Sequence, residues 1–314
     1  MGAAVSETSV AGHPALALSS PSGRLRATFV PGLNMLCPSL LHDGDELLHL
    51  RAGVEAYAER GKTCGIPFLH PWANRLAGDR YEAAGRVVEL RDGARPIGRD
   101  ANGLPNHGLL GGRTAWELAS ASAGERVATL VARLAFTDPA LLANFPYPHE
   151  VTIAVTLDDE ALSTTTMVEP ATRQAVPVSF GFHPYLRLPG IPREDWVLTL
   201  PVRERLVLDP RGIPTGERTP VRIDPAPLGS RAFDDGFTGI ESPRVFALEG
   251  GGRRVELEFD DGFPFVQVFA PEGSGFVCIE PMTAPANALV RGGEDLPVVA
   301  PGSRFSARWT VRIR

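Results

Sequence analysis

Four stretches of the chain gather ionisable residues among prolines, glycines and aromatics: "GIPFLHPWANRLAGDRY" (65–81), "LPNHGLLGGRTAWEL" (104–118), "FGFHPYLRL" (180–188) and "CIEPMTAPANAL" (278–289). A rigid turn with a polar tip and an apolar wall is the make-up of a strand end lining a pocket. Three chemistries compete for these residues. His70, His107, His183 and Glu280 are adequate metal ligands by type. Two ligands on one strand face would however be spaced H-x-H, and no such pair occurs, so no metal is expected. A nucleophilic hydrolase would show G-x-S-x-G; that motif is absent, and Ser274 in "EGSGF" does not fit it. The third chemistry pairs His183 with Glu280 as acid and base. Their reference pKa values are about 6.5 and 4.3, so an imidazolium can give a proton while an ionised carboxylate accepts one. Taken alone, His183 reads equally well as a hydrogen-bonded core histidine.

The elements that must position these groups show a period of two. "RFSARWTVRIR" sets Phe305, Ala307, Trp309, Val311 and Ile313 on one face. "EVTIAVTLDDEALSTTTMVE" alternates through Val151, Ile153, Val155 and Leu157, turns at Asp158-Asp159-Glu160 and resumes at Leu162, a hairpin signature. Only Asp138 to Phe145 suggests a short helix. With 29 prolines and 33 glycines the chain is punctuated every few residues, as turns between many strands require. No period of 20 to 50 residues suggests a propeller or solenoid. The loop-like segments 94–112 and 209–235 are flanked by strands of the same style and do not read as hinges. The expectation is an all-β chain, one large antiparallel β-sandwich over residues 1–314 with few short helices, residues 1–20 forming a less ordered leader.

Composition narrows the partners. A chain of 314 residues can bury roughly 75% of its unfolded surface, so its core needs no staples. The net charge of −6 disfavours nucleic acid or an anionic membrane as the main partner. Lys62 is the single lysine; every other basic residue is arginine. Cys37, Cys64 and Cys278 are an odd number at unrelated spacings, which points away from a disulfide framework and towards a reducing cytoplasm. No run approaches the 18 or so apolar residues of a membrane helix, and no basic-then-apolar leader marks a secretory signal.

From about Leu25 to the C-terminus the chain resembles the aldose 1-epimerase (galactose mutarotase) family. "PWANRL" is similar to that family's P-[FW]-x-N-R-[IL] segment, and "NHG", followed by Trp116, to its His-Gly loop. "GFHPYLRL" resembles its H-P-Y-F segment, "FDDGF" its D-x-x-[FY] element, and "CIEPMTAPANA" its glutamate-bearing strand. Five motifs in order make the resemblance specific. It implies a galactose mutarotase-like supersandwich that interconverts α- and β-anomers of a free hexose without a cofactor. Carried over, His183 is the general acid at the ring oxygen and Glu280 the base at the anomeric hydroxyl. Arg75, Asn74, His107 and Asp234 become sugar-binding residues, with Asp235 an alternative to Asp234. Tyr185 offers an apolar wall, and Trp72 reads better as core. Leu186 replaces a frequent Phe, and His70 has no role. The partner implied is an aldohexose, bound by a monomer or homodimer. A hexose-6-phosphate 1-epimerase is the alternative, although its usual P-W-F-G and H-G-F-A-R segments are absent. A non-catalytic sugar-binding or sensing module is another. The motif stretches supply Arg75, Arg113 and Arg187 as possible phosphate donors, and only Arg75 has a family role. Neutral hexoses are therefore expected to be preferred over their 6-phosphates.

Overall fold

A computed structural model describes residues 2–93 and 96–314, with the side chain of Arg113 outside the description. Strands take about 48% of the residues and helices 7%, the all-β composition that the period-two patterns require.

The largest sheet has nine strands, with Val245–Gly250, Arg253–Phe259, Phe305–Ile313, Ala161–Pro170, His149–Leu157, Ala128–Phe136 and Glu117–Ala123 as consecutive neighbours. Alternation decides which face is buried. Ala128, Leu130, Ala132, Leu134 and Phe136 all point inwards, as do Ala307, Trp309 and Val311, while Phe305 and Ile313 are half-buried at the strand ends. The hairpin forms as expected: Leu157 lies opposite Leu162. Asp158 Oδ1 accepts the backbone N–H groups of Glu160 and Ala161, each at 2.8 Å, which is how an aspartate closes a tight turn.

The second sheet runs Pro214–Pro220, Glu204–Leu208, Phe233–Thr238, Phe265–Ala270, Val277–Met282, Gly181–Phe182 and Phe68–Leu69, with Tyr185–Leu186 also paired to Val277–Met282. It faces the first across one aromatic layer: Phe182 and Trp309 rings lie 5.3 Å apart, and Phe180 and Phe305 rings 5.9 Å. This is sandwich packing. Trp309 is 2% exposed, and truncating so large a buried side chain costs roughly 3–5 kcal/mol.

The less ordered leader does not appear. Ala4–Val10 and His13–Ser19 pair along their full length, Ala4 against Ser19 through Val10 against His13. They open an antiparallel meander that continues through Leu25–Val30, Leu36–His42 and Asp45–Glu46. Their turn is Ala11-Gly12, both at positive φ (48° and 78°), the geometry of a two-residue hairpin loop. Alanine replaces the usual Asn or Asp there, and small residues such as Ala15 and Ala17 form the buried face. Both the turn signal and the hydrophobic period are therefore faint in the sequence.

The expected helix is the single turn Pro139–Leu142, capped by Asp138, whose carboxylate accepts the Ala140 N–H. A longer helix, Val54–Arg60, has no visible period because it spans only two turns. It ends at Gly61 in the left-handed conformation (φ 66°). Among the described residues no helix is long and apolar enough to cross a membrane, and Cys37, Cys64 and Cys278 are buried free thiols.

Candidate active site

Strand Val277–Met282 supplies the centre of the site. Gly181 pairs with Met282 near one end of it and Tyr185 with Cys278 near the other, both along the same edge. Between these two pairings Pro184 has no N–H to give to a ladder, so regular pairing lapses there and His183 lies over Glu280. The His183 N–H turns instead to the Pro67 carbonyl at 3.2 Å. His183 Nε2 and Glu280 Oε1 are 3.2 Å apart, with side chains 6% and 2% exposed. Tyr185 stacks on the imidazole at 4.5 Å and 12° between planes. Its hydroxyl shares a 2.7 Å hydrogen bond with Thr63 and lies 3.4 Å from His183 Nε2.

Two left-handed residues shape the next part of the wall. Asn74 (φ 56°) and His107 (φ 61°) are joined by a 3.0 Å hydrogen bond from the His107 N–H to the Asn74 carbonyl. Gly108 then passes so close to His70 that a Cβ would stand 2.2 Å from the His70 carbonyl oxygen. The His107 ring consequently meets His183 edge-on at 5.4 Å. Asn74 Oδ1 accepts both the Arg75 N–H at 2.8 Å and Arg75 Nη1 at 3.2 Å, so it positions that arginine. Arg75 Nε donates to Asp100 at 2.8 Å.

The remaining side belongs to the neighbouring strands. Gln267 lies opposite Glu280 and donates from Nε2 to Asp234 Oδ1 at 2.8 Å. Arg75 Nη2 approaches the other Asp234 oxygen at 3.8 Å. Asp235 points away, towards Arg205 at 3.6 Å. All six residues expected from the sequence, His183, Glu280, Arg75, Asn74, His107 and Asp234, line one open cleft of about 350 Å³, within the range of small-molecule sites. Trp72 is fully buried and outside the cleft.

Burial dominates the electrostatics. It pulls the His183 imidazole well below its ordinary value, helped by the neighbouring His107 and by the Arg51 charge. It pushes the Glu280 carboxyl well above its ordinary value, reinforced by Asp234 and opposed by Arg75. His107 is lowered to about 3 by burial, Arg75 and Arg51, so it is neutral in ordinary buffers. The shifts of His183 and Glu280 both disfavour the charge-separated form of that pair.

Sequence reasoning missed Asp100, Gln267, Thr63, Arg51 and Cys278. Asp100 carried a signal in the turn-forming "DANGL", whose Asn102 and Leu104 N–H groups its carboxylate accepts. The four-residue metal set His70, His107, His183 and Glu280 is not assembled. His70 Nε2 is instead 2.8 Å from His149 Nε2 in the core. Potential ligand atoms of His183, Cys278 and Glu280 do lie within 4.8 Å of one another. Burial, with Glu280 nearby, holds the Cys278 thiol well above its ordinary value, and a protonated thiol is a poor ligand.

A family model described as aldose 1-epimerase matches residues 38–312. The Escherichia coli K12 protein YphB is 24% identical over 287 residues, covering 84% of this chain and 88% of its own. YihR of the same organism is 25% identical over 245 residues, 74% of each chain. Among solved structures, a galactose mutarotase-like protein from Clostridium acetobutylicum superposes with a TM-score of 0.87 at 18% identity, covering 100% of this chain and 99% of its own. A galactose 1-epimerase from Lactobacillus acidophilus gives 0.77 at 14%, with the same coverage. At these identities the likeness establishes a shared galactose mutarotase-like sandwich.

Proposed function

Because the chain belongs to the aldose 1-epimerase family, we propose that it interconverts the α- and β-anomers of an aldohexose by acid–base ring opening and closure, acting as one 314-residue unit. The carrying observation is the buried 3.2 Å His183–Glu280 pair at the floor of the cleft. Glu280 takes the proton of the anomeric hydroxyl, the C1–O1 bond becomes a carbonyl, the C1–O5 bond breaks, and His183 gives its proton to O5. Rotation about C1–C2 presents the other carbonyl face, and closure runs the transfers in reverse.

The electrostatics support this direction of proton flow. Reaction begins from His183 imidazolium and Glu280 carboxylate, the arrangement that burial disfavours. Ring opening leaves a neutral imidazole and a carboxyl, the arrangement that burial favours. Each half-reaction moves protons inside the cleft with none exchanged with solvent. Asp234, Arg75 and His107 supply acceptors and donors for the sugar hydroxyls, which a neutral polyol needs in fixed directions. The intact pair speaks against a purely sugar-sensing module. The test is polarimetry of freshly dissolved α-glucose and α-galactose. With protein present, rotation should reach the same final value faster than in a buffer blank; an unchanged rate for every aldose tried would refute the proposal.

A further inference from the structure

The cleft holds more positive charge than proton transfer needs. Arg51, Arg60, Lys62, Arg75 and Arg99 all line it, in a chain whose net charge is −6. Arg75 is matched by Asp100, Arg99 by Asp79 and Asp92, and Arg60 by Glu59. Arg51 and Lys62 have no carboxylate partner among the described residues. Two unmatched cations at the mouth of a concave site form a local positive potential with an anion-sized vacancy in its charge pattern.

Their placement is specific. Arg51 Nη1 donates to the Tyr185 hydroxyl at 3.0 Å, and its guanidinium lies 5.3 Å from the Tyr185 ring centre and 5.8 Å from that of Phe276. Held by these contacts, it still has other N–H groups of its fork to offer. Lys62 precedes Thr63, which holds the same tyrosine hydroxyl. That hydroxyl is 3.4 Å from His183 Nε2, so the basic wall adjoins the histidine. Arg51 perturbs His183 more than Arg75 does, whereas Asp234 and Arg75 are the charges that perturb Glu280. In the mechanism proposed above, on which this step rests, His183 serves O5 and Glu280 serves O1. The ring atom beyond O5 is C5, which carries C6.

We propose that the preferred substrate is an aldose with an anionic group at C6, the carboxylate of a uronic acid or a phosphate ester, seated against Arg51 and Lys62. The preference for neutral hexoses expected from sequence counted only arginines within the motif stretches. Arg51 and Lys62 lie outside them and reach the cleft only through the fold. Charge-assisted hydrogen bonds to such a group are the strong ones.

The experiment measures anomeric exchange of glucose, glucuronate and glucose 6-phosphate by NMR at one pH and ionic strength, with buffer blanks subtracted. At least one anionic sugar should show kcat/KM tenfold or more above glucose, the gap narrowing as salt is added. Which anion leads separates a carboxylate from a phosphate seat. Lys62→Gln and Arg51→Gln should each cut the anionic-to-neutral ratio severalfold, mainly through KM, while Arg51→Lys retains part of it. Melting curves check that the variants fold. Glucose handled as well as both anions would overturn the anionic seat and leave the epimerase reading standing. A preference that survives both glutamine variants would also overturn it, by placing the seat elsewhere. Exchange of no sugar above the blank would sink both readings.

Discussion

His183 and Glu280 are cross-strand neighbours: Gly181 opposite Met282 and Tyr185 opposite Cys278 fix a register that sets residue 183 against residue 280. Opposite residues of an antiparallel pair point to the same face with Cβ atoms about 5 Å apart. The 3.2 Å approach of their polar atoms thus follows from sheet geometry. In the proposed reaction, an acid and a base held this way need little reorganisation to act on adjoining oxygens of one sugar.

Removing either partner should therefore damage turnover more than binding. Glu280→Gln keeps the shape and loses the basicity; His183→Asn loses the transferable proton. Each should lower kcat by about 10²–10⁴, or roughly 3–5 kcal/mol of transition-state stabilisation, with KM changing far less. Blank-corrected polarimetry measures this, and near wild-type turnover by Glu280→Gln would place the base elsewhere.

The acid limb of activity should lie below the ordinary imidazole range. In the proposed mechanism the pair works while it holds one proton. Because the His183 value is depressed, the second proton arrives, and activity falls, only below the usual imidazole value of about 6.5. Because the Glu280 value is raised, the last proton leaves only above the usual carboxylate range. The limbs belong to the pair as a unit. An acid limb in kcat/KM at or above 6.5 would contradict this assignment.

Stability should fall with acid through a different pair. His149 donates from Nδ1 to the Tyr147 carbonyl at 2.6 Å, so its Nε2 accepts from His70. Burial, opposed by that carbonyl, lowers His149 to about 4; burial and His149 lower His70 as well. Folded-state values below the unfolded ones mean that stability present above about pH 6.5 is lost as pH falls towards 4. The His149 share is about 3 kcal/mol. Denaturant melts between pH 7 and 4.5 should show the decline, and His149→Phe should reduce its slope.

The two adjacent aspartates should separate cleanly. Asp234 faces the cleft beside Gln267 and Arg75, whereas Asp235 faces Arg205. Asp234→Ala should raise KM at least tenfold. Asp235→Ala should leave KM within about twofold, since a partly exposed ion pair contributes about 1 kcal/mol or less. Equal effects on KM would show that the pleat does not decide which carboxylate serves the substrate.

Gly108→Ala should disturb the site through the backbone. Position 108 has φ +75°, and the added carbon would meet His70 backbone atoms at 2.2 and 2.5 Å. A loss of roughly 2–4 kcal/mol together with a raised KM is expected, because the His107 ring moves with the loop. Thermal melts and saturation curves on the same sample read both.

Much of the site was legible because its residues sit in short motifs with chemical character: His183 before Pro184, Glu280 before Pro281, and Arg75 after Asn74. The alternation through Ala307, Trp309 and Val311 likewise gave away the sandwich. What stayed hidden depends on register and turns. Gln267 looks like any polar residue in a strand until it is seen opposite Glu280. Arg51 belongs to no motif and reaches the tyrosine 134 positions away. The first hairpin was hidden because Ala11-Gly12 carries little turn signal, and its inward face is built from alanines as much as leucine.

The cleft also bears on how the molecule acquires its activity. Its walls come from chain segments as far apart as Thr63, Asp100, His183, Asp234 and Glu280, joined by strand pairing and by side-chain bonds such as Arg75–Asp100 and Thr63–Tyr185. Such non-local closure is slow, because chain entropy is lost before the contacts that reward it form. A refolding chain can display most of its sheet while the acid, the base and the arginine remain on separate pieces. Catalysis should consequently return later than strand content after dilution from denaturant. That lag would make turnover a reporter of the finished native state, blind to every partly assembled one.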